Sequence, residues 1–287
     1  MSNIHFLIDF LLFGFFPEQQ RWRLMIILLI CLSHTWLTLK FARHSIPLKT
    51  FILCSFCLLT SSWYLAFGDG WLLNIIPTNQ LSGFILNICL AYWSIPIATV
   101  MSVGFCYLMI YQPELWPTHC FVILAKIIRS IPLITLLFFI TLILPMMTNI
   151  EITRFQAALT GLIIFLIAYI VEVFKGAHQA IDTHQHESAA ALQITGIRKF
   201  IHIDLPQIIK NSIPSLINTY IGLIKDTALV TIIGLSDSLG NLQLLIAKYE
   251  FKHDFLLLFA IIAALFWMLC FICSLFGKKL EKAIVYE

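Results

Sequence analysis

The sequence predicts an all-α integral membrane protein, and three observations carry that prediction. Hydrophobic residues make up 60% of the 287-residue chain and charged residues 11%, whereas a soluble domain carries about 25% charged residues. Mean hydropathy is +0.92. The charges are also segregated: no Asp, Glu, Lys or Arg occurs in 24–39, 50–68, 70–113, 130–150, 155–171, 211–224 or 255–277. A bilayer-spanning helix needs roughly 20 mostly apolar residues. Only helices or closed barrels satisfy their backbone in lipid, and runs this long, unbroken and rich in Leu, Ile and Phe read as helices.

Taken in order, the first apolar stretch, near 6–16, is too short to span and is followed by Arg21 and Arg23. It fits the interface. Seven spans follow, near 24–40, 50–68, 83–110, 122–146, 155–174, 208–233 and 254–276. The fourth holds Lys126, Arg129 and Pro132, so it should be kinked or begin outside the hydrocarbon. Sidedness follows from basic residues, which favour the cytoplasm. Lys278, Lys279 and Lys282 place the end of the last span inside. Counting back puts 175–207, with Lys175, Arg198 and Lys199, and 40–49, with Lys40, Arg43 and Lys49, on the same side. The segments 69–81, 147–154 and 234–253 then face outward. Lys248, Lys252, Arg21 and Arg23 run against that bias.

Several classes are disfavoured. Net charge is only +3 and the basic residues sit in short loops, so no nucleic-acid surface is expected. The eight cysteines lie mostly inside apolar runs, including the CxxC pairs Cys54/Cys57 and Cys270/Cys273. Redox or zinc chemistry needs exposed thiolates, so these read as packing residues. No cleavable signal peptide is expected, because the apolar 10–16 stretch has no basic segment before it.

The segment 175–207 is the one long polar connection. Its stretch 186–196, HESAAALQITG, is strongly helix-forming, with Glu187 in the first turn, where a carboxylate suits the dipole. Gly196 is expected at the left-handed C′ position. A second amphipathic piece, IRKFIHIDLP, covers 197–206, and Pro206 opens the next span. A helix of about 11 residues is about 16 Å long, too polar for lipid and with too little apolar face for a core. It invites a cytoplasmic partner. His178, His184, His186 and His202 lie in or near this loop. On a helix, His184 and His186 do not face each other, and they read as solvated residues rather than metal ligands.

The run ESAAALQITGIRKFIHIDLP resembles the EAA loop of ABC-importer permeases, with Glu187, Ala189, Leu205 and Pro206 at the expected places. Ser188 stands where the family has Ala. Gln193 stands at the seventh position, where the family has Gly, and a Gly occurs three residues later at Gly196. AYIVEVFKGAHQAI at 168–181, RSIPLITLLFFITLILP at 129–145 and INTYIGLIKDTALVTIIGLSDSLG at 217–240 resemble polar-amino-acid permeases, and FLLFGFFPEQQRWR at 10–23 is similar to a segment of the longer general amino-acid permeases.

The resemblance implies a type I ABC-importer permease core of five spans at 81–280, with its cytoplasmic EAA loop at 175–207, preceded by a 1–80 extension of about two spans. It implies uptake of polar or general L-amino acids across the bacterial inner membrane. The implied partners are a cytoplasmic ABC ATPase dimer, a periplasmic amino-acid-binding protein and a second homologous permease subunit in a heterodimer, a homodimer being the alternative. The chain has no G-x-x-x-x-G-K-[ST] phosphate loop, since Gly277-Lys278 is followed by Lys279. ATP and Mg are therefore expected on the partner, with no cofactor, metal or catalytic residue on this chain. The coupling residues are Glu187, Ala189, Ala190, Gln193, Gly196, Leu205 and Pro206. Glu187 reads either as a charged contact to the ATPase or as a cap of its own helix; Ala189 and Ala190 allow close approach in a groove. Lys225 and Asp226, with Thr227, read either as contacts for a zwitterionic substrate or as a structural ion pair. Arg129 and Glu172, near the cytoplasmic ends of their spans, read as interfacial anchors or structural partners, or as a gating ion pair. The rival class is an ion-gradient-driven transporter of small polar solutes, which would show paired inverted repeats; none is evident.

Overall fold

The structure, a computed structural model, describes residues 2–42, 48–68, 73, 75–248 and 255–285. Among these, the chain is helical throughout: α1 (Ser2–Phe13), α2 (Arg21–Ala42), α3 (Leu48–Phe67), α4 (Phe84–Tyr111), α5 (Trp116–Ser130), α6 (Leu133–Phe138), α7 (Leu144–Thr148), α8 (Arg154–Gln179), α9 (Thr183–Ala191), α10 (Gly196–Lys199), α11 (Leu205–Asp226), α12 (Ser238–Lys248) and α13 (Phe255–Val285). A single isolated bridge, between Gly83 and Asp237, is the one β-type pairing among them. Arg43 and Lys252, which entered the sidedness argument, lie outside the described residues, as do 69–72 and 74.

The helices α2, α3, α4, α8, α11 and α13 are each long and apolar enough to cross a bilayer. The expected fourth span is instead broken: α5 and the α6–α7 segment meet at 114°. The cause is local. Ile131, before Pro132, is extended at φ −102° and ψ 146°, because the proline ring excludes the α conformation from the residue ahead of it.

Contacts at the two ends of the bundle show that this bent element still crosses. At one end, Phe15 N–H donates to Ser82 Oγ at 2.6 Å, Gly83 N–H to the Ser236 carbonyl at 2.9 Å, Arg154 Nη1 to the Gly234 carbonyl at 3.1 Å, and Asn241 Nδ2 to the Phe10 carbonyl at 3.1 Å. At the other, the Tyr111 hydroxyl donates to Asp204, and the His178 ring lies beside that of His186. So α4 and α8 both start at the first end and finish at the second. The chain between Tyr111 and Arg154 must return across, which brings the candidate crossings among the described residues to seven. The return is made by Leu133–Thr148, whose length is about 24 Å, while α5, carrying Lys126 and Arg129, lies at the loop end. With 175–207 inside, the first end faces outward. It also carries α1, whose Leu7 and Leu11 pack with Leu242, Leu245, Leu258 and Ile262 of α12 and α13. The 6–16 stretch does not span: its helix, α1, lies against α12 and the start of α13 at this end of the bundle.

Helix α8 is the spine, packing on α4, α11, α5 and α6. Small residues permit this: Ala157, Ala158 and Ala168 are buried, and a Cβ at Gly161 would stand 2.8 Å from Leu137 Cδ2. Lipid is as apolar as leucine, so close approach of this kind, rather than removal from water, holds membrane helices together. Trp93 Nε1 donates to Ser62 Oγ at 3.0 Å, both residues buried, tying α3 to α4. Apolar side chains exposed on α2, α3 and α13, such as Leu29, Phe56 and Trp267, suit lipid or a further subunit. At the outward rim, Gly83 has φ +75° and a Cβ there would lie 2.4 Å from the Leu12 carbonyl oxygen, so only glycine fits.

Two π turns share one sequence cause. Phe139–Ile143 precedes Leu144-Pro145, and Phe200–Asp204 precedes Leu205-Pro206. In each, the leucine N–H donates five residues back, to the Phe139 and Phe200 carbonyls. A proline ring clashes with the carbonyl four residues before it, and the wider turn moves that carbonyl aside.

Candidate functional site

The polar loop at the inner end contains α9, whose limits differ from the expected 186–196. It begins at Thr183, capped by Asp182, whose Oδ1 accepts from His184 N–H at 3.0 Å. It ends at Ala191, five residues before Gly196. Ile194 N–H donates to the Ala189 carbonyl and Gln193 N–H to the Ala190 carbonyl, both at 2.9 Å, a Schellman closure. Gln193 has φ +56°. The left-handed C′ residue expected at Gly196 is therefore Gln193: the backbone keeps the bend a glycine favours at the motif's seventh position without the glycine. Gly196, at φ +58°, opens α10 instead.

Glu187 lies in the middle of α9, with its side chain 72% exposed and its one polar contact among the described residues made to His184 Nδ1 at 3.2 Å. Since Asp182 makes the cap, the self-capping alternative for Glu187 falls away. Ala189 and Ala190 were expected together on a partner-facing side, but Ala189 is 2% exposed and packs inward. Ala190 is exposed, as are Ser188 and Leu192, the last at 72%. Ile197 and Ile201 also stand out from the loop. Leu205 is half-buried and Pro206 exposed in the first turn of α11.

The inward side of the loop carries a cluster that sequence reasoning missed. Asp204 is fully buried; its Oδ2 accepts from Tyr111 Oη, while Oδ1 faces His186 Nδ1 at 3.7 Å. The His178 and His186 rings are 5.4 Å apart between centroids. Of the four loop histidines read as solvated, His184 and His202 are exposed, but His178 and His186 are half-buried against Asp204. Helix spacing within the loop could not reveal this, because His186 finds its partners on α8 and at the entry to α11. The usable signal was an acid placed directly before the Leu-Pro that opens a span.

Arg129 and Glu172 are brought together across α5 and α8, Nη2 to Oε2 at 3.0 Å. Lys225 and Asp226 behave differently. Neither makes a close ion pair among the described residues, and their charges act on each other only electrostatically at longer range. Lys225 is exposed along a groove shared with Ile221, Trp267 and Phe271. Thr227 is fully buried. It donates to the Ile224 carbonyl at 2.7 Å and accepts from Asn87 Nδ2 at 3.3 Å, a structural role rather than a place on a path.

Asn87 is the hub of an outward polar cluster. Its Nδ2 also donates to Asp237 Oδ2 at 3.1 Å, and its Oδ1 accepts from Ser238 Oγ at 3.3 Å. Asp237 Oδ1 accepts from Thr231 Oγ1 and from Gly240 N–H. Burial pushes the Asp237 carboxyl above the ordinary carboxylate range, against hydrogen bonds from Thr231, Gly240, Asn87 and Leu239 that favour its ionised form. Beside this cluster an outward cleft of about 840 Å³ is lined by Phe15, Asn79, Gln80, Arg154 and Ser236, among others.

Comparison with known proteins agrees with this architecture. Residues 95–286 match the family described as binding-protein-dependent transport system inner membrane component. The inner membrane amino-acid ABC transporter permease protein YhdY of Escherichia coli (strain K12) is 31% identical, over 94% of this chain and 74% of that protein. The arginine transport system permease protein ArtQ of Bacillus subtilis (strain 168) is 27% identical, over 74% of this chain and 88% of that one. Among solved structures, the crystal structure of an amino acid ABC transporter with histidines matches with a TM-score of 0.60 and 25% identity, over 70% of this chain and 91% of the other. With up to seven candidate crossings among its described residues and an exposed helix in its long polar loop, the chain belongs to the binding-protein-dependent inner-membrane transport family, as a multi-pass permease of the amino-acid ABC transporter kind.

Proposed function

We propose that this permease couples to a separate ATPase through α9, and that ATP and Mg are held by that partner alone. The observation carrying this reading is the outward aspect of α9: Glu187, Ser188, Ala190 and Leu192 are exposed together on a loop outside the membrane. Leu192, Ile197 and Ile201 are exposed on the same loop near the largely exposed Glu187 carboxylate, and a partner groove with a basic or amide donor accounts for both. ATP-driven closure of the ATPase pair would move α9, and with it the junction of α8 and α11, biasing the bundle between outward-open and inward-open states.

In this reading a periplasmic binding protein delivers a polar L-amino acid to the outward face, where the cleft beside Arg154 and Gln80 offers polar groups. A second homologous permease subunit completes the path, most simply as a heterodimer. Lys225 supports a facing subunit or cavity, because a charge exposed along a groove between α11 and α13 in a span does not suit lipid. The division into a 1–80 extension and an 81–280 core remains part of the same proposal. Family membership leaves the ion-gradient alternative without support.

The test uses the assembled importer in proteoliposomes. Glu187→Ala and Glu187→Lys should lower ATP-dependent amino-acid uptake, the reversal more, with the complex still assembled at high protein concentration. Uptake and stimulated ATPase activity at the unsubstituted level in both variants would sink the role given to Glu187. A tagged chain that co-purifies with no ATPase would sink the coupling itself.

A further inference from the structure

We infer that His178, His186 and Asp204 form a site for a divalent cation of the zinc class, which clips the inward side of α9 to the ends of two core spans. Each residue offers one ligand atom, and these atoms all lie within 4.8 Å of one another. The donor set is two imidazole nitrogens and one carboxylate oxygen, the mixture that zinc takes and that magnesium, which favours oxygen and water, does not.

Two further observations point to a cation rather than to an ordinary hydrogen-bonded cluster. Asp204 is fully buried, yet its Oδ1 has no hydrogen-bond partner among the described residues, and neither does His186 Nδ1, which faces it. A buried carboxylate oxygen without a partner is expensive. The separation of these two atoms, 3.7 Å, is too long for a hydrogen bond between them. It is close to the roughly 3.4 Å between two ligand atoms on one tetrahedral zinc with bonds of about 2.1 Å. The other oxygen of Asp204 is engaged by the Tyr111 hydroxyl, so the carboxylate is held by one oxygen and presents the other. Metal-ligating groups are commonly oriented by such a hydrogen bond. His178 comes from the last turn of α8, His186 from α9, and Asp204 from the π turn leading into α11. Lys199, whose Nζ lies 5.8 Å from the Tyr111 ring centre, is the nearby positive charge against which the site must work. Exposed His184 already contacts Glu187 and His202 points to water, so neither belongs to the site.

The test is zinc binding by the purified full-length chain in detergent, with Zn²⁺ alone as the probe, measured by competition with a chromophoric chelator. No ATPase or transport is involved, so failure here is separate from failure of the coupling reading. One zinc per chain is expected, with magnesium not competing. Tyr111→Phe, which removes only the orienting hydroxyl, should weaken binding roughly 10- to 100-fold, and His186→Gln or Asp204→Asn by more. His184→Gln and His202→Gln should leave it unchanged. Absence of stoichiometric zinc, or an affinity unmoved by His186→Gln and Asp204→Asn, overturns the inference. If those two variants fail to elute as a single folded species, cobalt(II) loaded into the unsubstituted chain decides: a tetrahedral absorption spectrum supports the site, and an octahedral one or none overturns it.

Discussion

Replacing Gln193 by glycine isolates the bend that ends α9. Gln193 sits at φ +56°, where a residue with a Cβ is strained by about 1–2 kcal/mol. Glycine removes that strain but gives the unfolded loop extra freedom, a loss of about 0.5–1 kcal/mol. Taken at the midpoints, the difference is about 0.75 kcal/mol in favour of glycine, which corresponds to a roughly 3- to 4-fold change in a local equilibrium. The two amides closing the cap, Gln193 N–H and Ile194 N–H, report it directly. Hydrogen exchange of the chain in detergent or nanodiscs should show those amides about 3- to 4-fold better protected in Gln193→Gly. In Gln193→Val they should be less protected than in the unsubstituted chain, because a β-branched side chain tolerates positive φ poorly. Glycine leaving protection unchanged or lowering it, or valine matching glutamine, would refute the left-handed assignment.

Other consequences are checked more simply. The Arg129–Glu172 pair is part-exposed, so a double-mutant cycle on detergent unfolding should return less than about 1 kcal/mol of coupling; a gating role would show instead as a changed uptake rate at unchanged stability. Asn87→Leu strips partners from Asp237, Thr227 and Ser238 and should cost about 2 kcal/mol or more, read as lowered thermal stability. Because burial raises the Asp237 carboxyl, its folded form favours the proton. Its contribution is full below the unfolded carboxylate pKa and is lost as pH rises through the folded value, so Asp237→Asn should flatten that slope. Ser62→Ala leaves the buried Trp93 indole N–H without its acceptor and should cost about 1–3 kcal/mol, weakening the hold of α3 on the bundle.

The spans were legible because segregated charge is a one-dimensional signal, and α2, α3, α4, α8, α11 and α13 fall where the charge-free runs lie. The trouble flagged at Lys126, Arg129 and Pro132 became the 114° break. The Arg129–Glu172 contact joins two residues already considered together, because each is an isolated charge at a span end. What could not be read was anything set by packing between distant elements. Ala189 turned inward while Ala190 did not, which depends on how α9 lies on the bundle. The limits of α9 were misplaced because a glycine was weighed above a glutamine for the left-handed position, a preference that the surrounding closure overrode. Asp204 and Asp237 gave no pattern of their own, because Tyr111 and Asn87, which bind them, are 93 and 150 positions away.

The wide turn at Phe200–Asp204 carries a consequence for how such chains can be compared. A π turn holds one residue more than an α turn, so it stores a residue that the helix can lose without losing a turn. A one-residue deletion within 200–204 would be taken up there, leaving every side chain from Ile208 onward facing as before. The same deletion past Pro206 would have no such slack: everything beyond it would swing by about 100°, and Lys225 would leave its groove. Between Glu187 and the Leu205-Pro206 step, distance along the chain is therefore kept in turns, and a count of residues that differs by one need not mean a different joint.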